Sequence, residues 1–178
     1  MNKPEIIQKL ANNHKAFVDL MASLSREEFE HQNGEKWTPG QQLDHIRLSV
    51  KPLVKGLSMP SETLTAMFGE ANRPSKSFDG VVSKYHSKLK EGARATTGFI
   101  PDPIAWAQKD ELVEALQQLT SQLCSQVEGY SEKDLDRLIM PHPLLGKLTL
   151  REMFYFTFYH VQHHHIRTLE NLGRPSHV

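Results

Sequence analysis

Four long stretches of this chain place apolar residues at three- and four-residue spacing, the repeat that draws one apolar stripe along a helix. In the first, Ile6, Ile7, Leu10, His14, Phe17, Val18, Met21 and Leu24 hold the stripe over about five turns. In the second, Leu43, Ile46, Val50, Leu53, Val54 and Leu57 hold it. Its start is marked by Thr38 as a cap, Pro39 at the first helical position and Gln41 closing a capping box. Pro52 lies inside that stripe and predicts a kink or an early end. The third runs through Leu112, Leu116, Leu119, Leu123 and Val127 to a stop at Gly129. The last opens on Thr149, with Glu152 closing a second box, and ends before Gly173 and Pro175.

A one-sided stripe must be buried against another, and no stretch shows the alternation of a strand. The expected fold is therefore all-α, a four-helix bundle. Residues 58 to about 79 are rich in Pro, Ser, Gly and Lys, and in the whole stretch 58–107 only about Asp79 to Glu91 has helical character. They read as a long, helix-containing crossover between the second and third bundle helices. "SREEFEHQ" adds a short capped turn after the first helix. One domain over residues 1–178 accommodates all of it.

Bulk properties narrow the function. Lys plus Arg and Asp plus Glu are equal at 21 each and no basic run occurs, which disfavours a nucleic acid as partner. No apolar run reaches the roughly eighteen residues that a membrane span requires. The N-terminal stretch is polar, unlike a signal peptide. Cys124 is the single cysteine, so no internal disulfide framework exists. These features predict a cytoplasmic protein acting on a small molecule, with neither nucleic acid nor membrane as partner.

The stretch "YHVQHHHIRTLENLG" holds His160, His163, His164 and His165. At about 100° per residue, His164 lies roughly 40° from His160, one turn on. His163 falls toward the polar face and is expected to meet water, whereas His165 is expected to pack. In the second helix His45 flanks its apolar stripe on the same side as His160 and His164 flank theirs. If the two helices pack, the three imidazoles converge on one groove, a donor set suited to a zinc-like or nickel-like ion. An H-x-x-x-H pair alone is a weak signal, since packed or solvent-facing histidines produce it too.

The residues "WTPGQQLDHI", "HPLLGKLTLREM" and "YHVQHHHI" resemble the DinB/YfiT-like superfamily of small helical metalloproteins, and the likeness covers most of the chain. The resemblance implies a divalent metal, zinc or nickel, bound by His45, His160 and His164. It also implies use of a low-molecular-weight thiol by S-transferases or isomerases, and a homodimer. Rings of Tyr155, Phe158 and Tyr159 on the outer side of the last helix point to a dimer as well.

The residues leave several chemistries open. A three-histidine ion can activate water for hydrolysis, but the glutamate of H-E-x-x-H is replaced here by Val161, Gln162 and His163. Holding a thiol as thiolate requires no protein base. Arg167, one turn beyond His164, is a candidate for a carboxylate of the substrate or thiol. Gln41, one turn before His45, is a candidate to orient that imidazole. Trp37 is expected to anchor the chain entering the second helix, and Cys124 to lie in the core. A metal-dependent hydrolase, a non-catalytic ligand-binding module and a bundle with titrating histidines remain as alternatives. No residue is assigned as catalytic.

Overall fold

The computed structural model describes residues 1–175. Its four long helices are α1 (Lys3–Ser23), α3 (Pro39–Leu57), α6 (Lys109–Glu128) and α8 (Leu150–Asn171). The short helix α2 (Arg26–Phe29) follows α1, α4 (Ser61–Phe68) and α5 (Phe78–Lys90) lie in the crossover, and α7 (Glu132–Arg137) follows α6. Capping boxes start three of the long helices: Asn2 with Glu5 for α1, Thr38 with Gln41 for α3, and Thr149 with Glu152 for α8. Each supplies side-chain partners to backbone N–H groups that a helix start leaves unpaired.

Around the bundle, α1 packs on α6 and α8, and α3 packs on the same two helices. The helices adjacent in sequence, α1 with α3 and α6 with α8, therefore sit mainly on diagonals. This ordering sets α3 against α8, the contact on which a shared site between them depends. Phe17, Met21, Leu43, Ile46, Leu116, Leu123 and Phe154 fill the centre, all essentially inaccessible to water.

Three expectations change. Pro52 does not end α3, which continues to Leu57. Pro52 is exposed, so the carbonyl that loses its helical partner can be met by solvent. The nominally aperiodic part of the crossover contains α4, anchored by one buried residue, Leu64, which is too little to draw a stripe. Strands also occur. Ile139–His142 (β1) and Gly146–Thr149 (β2) form an antiparallel hairpin with Ile139 opposite Thr149 and His142 opposite Gly146. Strands of four residues are too short for alternation to be visible, and Gly146, at φ 73°, makes the turn.

Glu152 ties the crossover to α8. Its fully buried carboxylate accepts from Arg73 at 2.6 and 2.8 Å, from the Lys76 amide at 2.7 Å and from the Thr149 amide at 3.0 Å. Burial alone would raise its pKa, but these donors outweigh it and hold the carboxyl below its ordinary value. Phe78, at the start of α5, stacks on Phe158 with ring centroids 5.2 Å apart and meets Tyr155 edge-on. Tyr155 and Phe158 are thus buried within the chain, not displayed as the aromatic surface from which a dimer was expected. No helix among the described residues is long and apolar enough to cross a membrane.

Candidate metal centre

His45 lies in the second turn of α3, where the Thr38–Pro39 start sets the phase of the helix and turns the imidazole toward α8. His160 and His164 stand one turn apart on α8 and face α3. All three are buried, and one nitrogen from each lies within 4.8 Å of the others. His160 Nε2 is 3.2 Å from His45 Nε2 and 3.1 Å from His164 Nε2. Nitrogens bound at about 2.0–2.1 Å to one tetrahedral ion stand roughly 3.3 Å apart, close to this spacing.

The other ring nitrogens decide what these Nε2 atoms carry. His45 Nδ1 donates to the carbonyl of Phe99 at 2.7 Å, and His164 Nδ1 donates to Gln42 Oε1. In the neutral rings both Nε2 atoms are then bare lone pairs, turned toward His160. One proton on His160 Nε2 could satisfy only one of them, whereas a cation satisfies all three nitrogens at once. Burial lowers the pKa of His45 and pushes those of His160 and His164 well below the ordinary histidine value. Neighbouring imidazoles add to the effect at His160 and His164. The rings are neutral at physiological pH, the form that ligates a metal. The residues fit a divalent ion.

Other predicted residues fall elsewhere. Gln41 serves the helix start, its Oε1 accepting from the Thr38 amide at 3.1 Å, and its amide nitrogen reaches Pro101 O at 3.5 Å. One of the three imidazoles, that of His164, is oriented by the side chain of the neighbouring Gln42, which no motif in the sequence marks for that role. A 100° step around the helix separates the two roles. Arg167 is exposed and paired with Glu170 at 2.9 Å, outside the wall of the cavity described below. Trp37 does more than anchor a chain entry: its ring lies 4.8 Å from that of His45 and stacks at 6.3 Å over that of His164. Asp44 is buried but turned away, paired with Arg47 at 2.7 Å. Cys124 is half-buried on α6 and outside the cavity wall, its thiol pKa pushed up by burial.

The three histidines line a cavity of about 460 Å³, within the range of small-molecule sites. His163, expected in water, is half-buried in its wall and edge-on to Tyr85 at 5.9 Å. Burial, then the charge of Arg167, lowers its pKa to about 4. His165 sits 6.3 Å from the Phe17 ring, in line with the packing expected of it. His142, at the end of β1, accepts from the amides of Leu144 and Leu145 at 3.1 Å through Nδ1, so its neutral ring carries the proton on Nε2. His14 lines the same cavity from α1. Its Nδ1 donates to Leu10 O at 2.7 Å, leaving Nε2 buried without a partner. His142 opens the "HPLLGKLTLREM" stretch and His14 lies in the first helix's stripe, but only the fold brings them to one wall.

Comparison with known proteins agrees with this geometry. A sequence profile of the DinB superfamily matches residues 9–166. No curated protein sequence matches the chain. Among solved structures, the fold is similar to that of YfiT from Bacillus subtilis, described as a probable metal-dependent hydrolase with an unusual four-helix bundle topology. The superposition has a TM-score of 0.61 at 15% identity and covers 97% of this chain and 89% of that one. With its profile match, diagonal bundle order and three-histidine cluster between α3 and α8, the chain belongs to the DinB superfamily.

Proposed function

We propose that this protein is a metal-dependent enzyme that transfers the sulfur of a low-molecular-weight thiol to an electrophilic carbon of a small-molecule substrate. The observation that carries the reading is the pair of Nε2 lone pairs which Phe99 and Gln42 turn toward His160. A divalent ion held by His45, His160 and His164, zinc or nickel for this donor set, supplies Lewis-acid activation of a thiol. In the balanced reaction the thiol proton leaves to solvent and the sulfur lone pair forms the S–C bond. The leaving group departs with the electron pair of the bond that breaks.

The cavity wall suits this chemistry. Its titratable groups are five histidines at the centre and around it, His14, Lys55, Arg94 and Tyr85, whose pKa burial pushes up to about 12. That count of five covers His45, His142, His160, His163 and His164. None is a carboxylate placed to take a proton from water, whereas a metal-held thiol needs no such base. Hydrolysis is the second reading, because YfiT, similar in fold, is described as a probable metal-dependent hydrolase.

Titration calorimetry with a panel of cellular thiols, on metal-loaded and chelated protein, tests the proposal. Thiols should bind the loaded protein alone, and more tightly as pH rises toward the free thiol's pKa, because binding releases a proton. Heats that do not differ between the two preparations would sink the transferase reading. Cleavage of esters or amides by loaded protein without thiol would replace it with the hydrolase.

A further inference from the structure

We propose that the substrate is an elongated, mainly apolar molecule with its reactive group at the three histidines and an oxyanion at its far end, held by Lys55, with Arg94 as a second cation on the same cavity wall. The reactive end rests on the metal-site reading above; the far end does not. Val50, Leu53, Met59, Leu89, Met140 and Phe156 give the cavity a mostly apolar wall. Such a wall binds by taking apolar surface out of water and offers little to a small polar molecule.

The formal charge in that wall comes from two side chains, Lys55 and Arg94, both cationic and both exposed at its rim. Every Asp and Glu of the described residues lies outside it. The Arg94 guanidinium bonds backbone carbonyls, Ala93 O at 2.9 Å and Leu89 O at 3.5 Å. Neither cation has a carboxylate within ion-pair distance among the described residues. Elsewhere the chain pairs its arginines: Arg73 with Glu152, Arg137 with Glu70, Arg151 with Asp136 and Arg174 with Glu28. In a chain with equal numbers of acidic and basic residues, two cations left unpaired on one apolar cavity mark a place for an anion.

The position of Lys55 sets the shape of the ligand. Lys55 follows His45 by ten residues in the same helix, about 15 Å along its axis. A molecule that reaches both ends must therefore be long, with the wall covering its middle. Carboxylate and phosphate share the chemistry that the two cations recognise.

Displacement of an environment-sensitive apolar fluorophore from the full-length protein tests this, both as purified and after chelation. The competitors are dodecanoate, dodecyl phosphate, dodecanol and dodecyltrimethylammonium. Both anions should compete about tenfold more strongly than the alcohol or the ammonium in both preparations, as a charge-assisted contact predicts. The stronger of the two anions identifies the head group. The double substitution Lys55→Glu, Arg94→Glu should abolish the anion preference and leave displacement by the alcohol within about twofold, which also reports an intact fold. Equal competition by anion and alcohol on the unsubstituted protein would overturn the proposal, as would a preference that survives the double substitution. An anion preference lost on chelation alone would place the anion at the histidines and also overturn it. Because the chelated arm needs no metal, protein that binds no metal would defeat the functional reading without deciding this one.

Discussion

Gln42 of α3 accepts a hydrogen bond from Nδ1 of His164 on α8, so the helix that contributes one candidate metal ligand also orients another. The contact fixes the tautomer of His164 and points its lone pair at His160. Gln42 is 5% exposed, so no water competes for that proton. Replacing Gln42 with Leu should weaken metal binding by roughly 10–100-fold, while Gln41→Leu should change it little beyond its effect on the helix cap. Competition with a chromogenic chelator measures both. Equal losses from the two substitutions would remove the orienting role of Gln42.

The ligand set makes a stoichiometric prediction. Protein purified without nickel resin should carry close to one divalent ion per chain, with His45→Ala, His160→Ala and His164→Ala each reducing it sharply. Because an ion that binds only the folded state stabilises it, chelation should lower the melting temperature of the unsubstituted protein and not of the three variants. Elemental analysis and thermal melts decide the matter. Metal-free protein that melts at the same temperature with and without chelator would rule the centre out.

His14 makes the fold acid-sensitive. Burial, only partly offset by its bond to Leu10 O, lowers its pKa from 6.5 to about 4. Between those values the unfolded chain binds the proton and the folded chain does not. Its contribution is therefore complete above pH 6.5 and is lost as pH falls toward 4. At about pH 5 the loss is about 2 kcal/mol. His14→Leu removes that loss and the unpartnered Nε2, so its stability relative to the unsubstituted protein should grow from neutral pH to about pH 5 by that amount. Urea unfolding in the presence of chelator measures the difference, and a gap independent of pH would contradict it.

Removing the carboxylate that pins the crossover should be costly. Glu152→Ala leaves Arg73 without its bidentate partner and the Lys76 and Thr149 amides unmet, which should cost roughly 3 kcal/mol. Chemical denaturation gives the magnitude. Limited proteolysis should show faster cutting at residues 69–77, where the crossover would detach first. Unchanged stability and cutting would mean that Phe78 stacking alone secures the segment.

The four bundle helices are legible in the sequence, because stripe and cap are local signals: Thr38 and Thr149 start α3 and α8 where their capping boxes place them. The sequence also placed His45, His160 and His164 on matching sides of their stripes, since helical phase follows from spacing alone. Whether those sides meet depended on the order of helices around the bundle, and only the tertiary structure set α3 beside α8 and α1 across from α3. The same holds for every contact made between distant segments. Phe99 reaches His45 from a short 3-10 turn 54 residues away, and Gln42 reaches His164 across 122. The hairpin and α4 escaped the sequence because each is too short to show a period and is held by its neighbours. His14, Lys55 and Arg94 likewise carry no motif, since a residue enters a cavity wall through the packing of remote helices and loops, which local spacing does not encode.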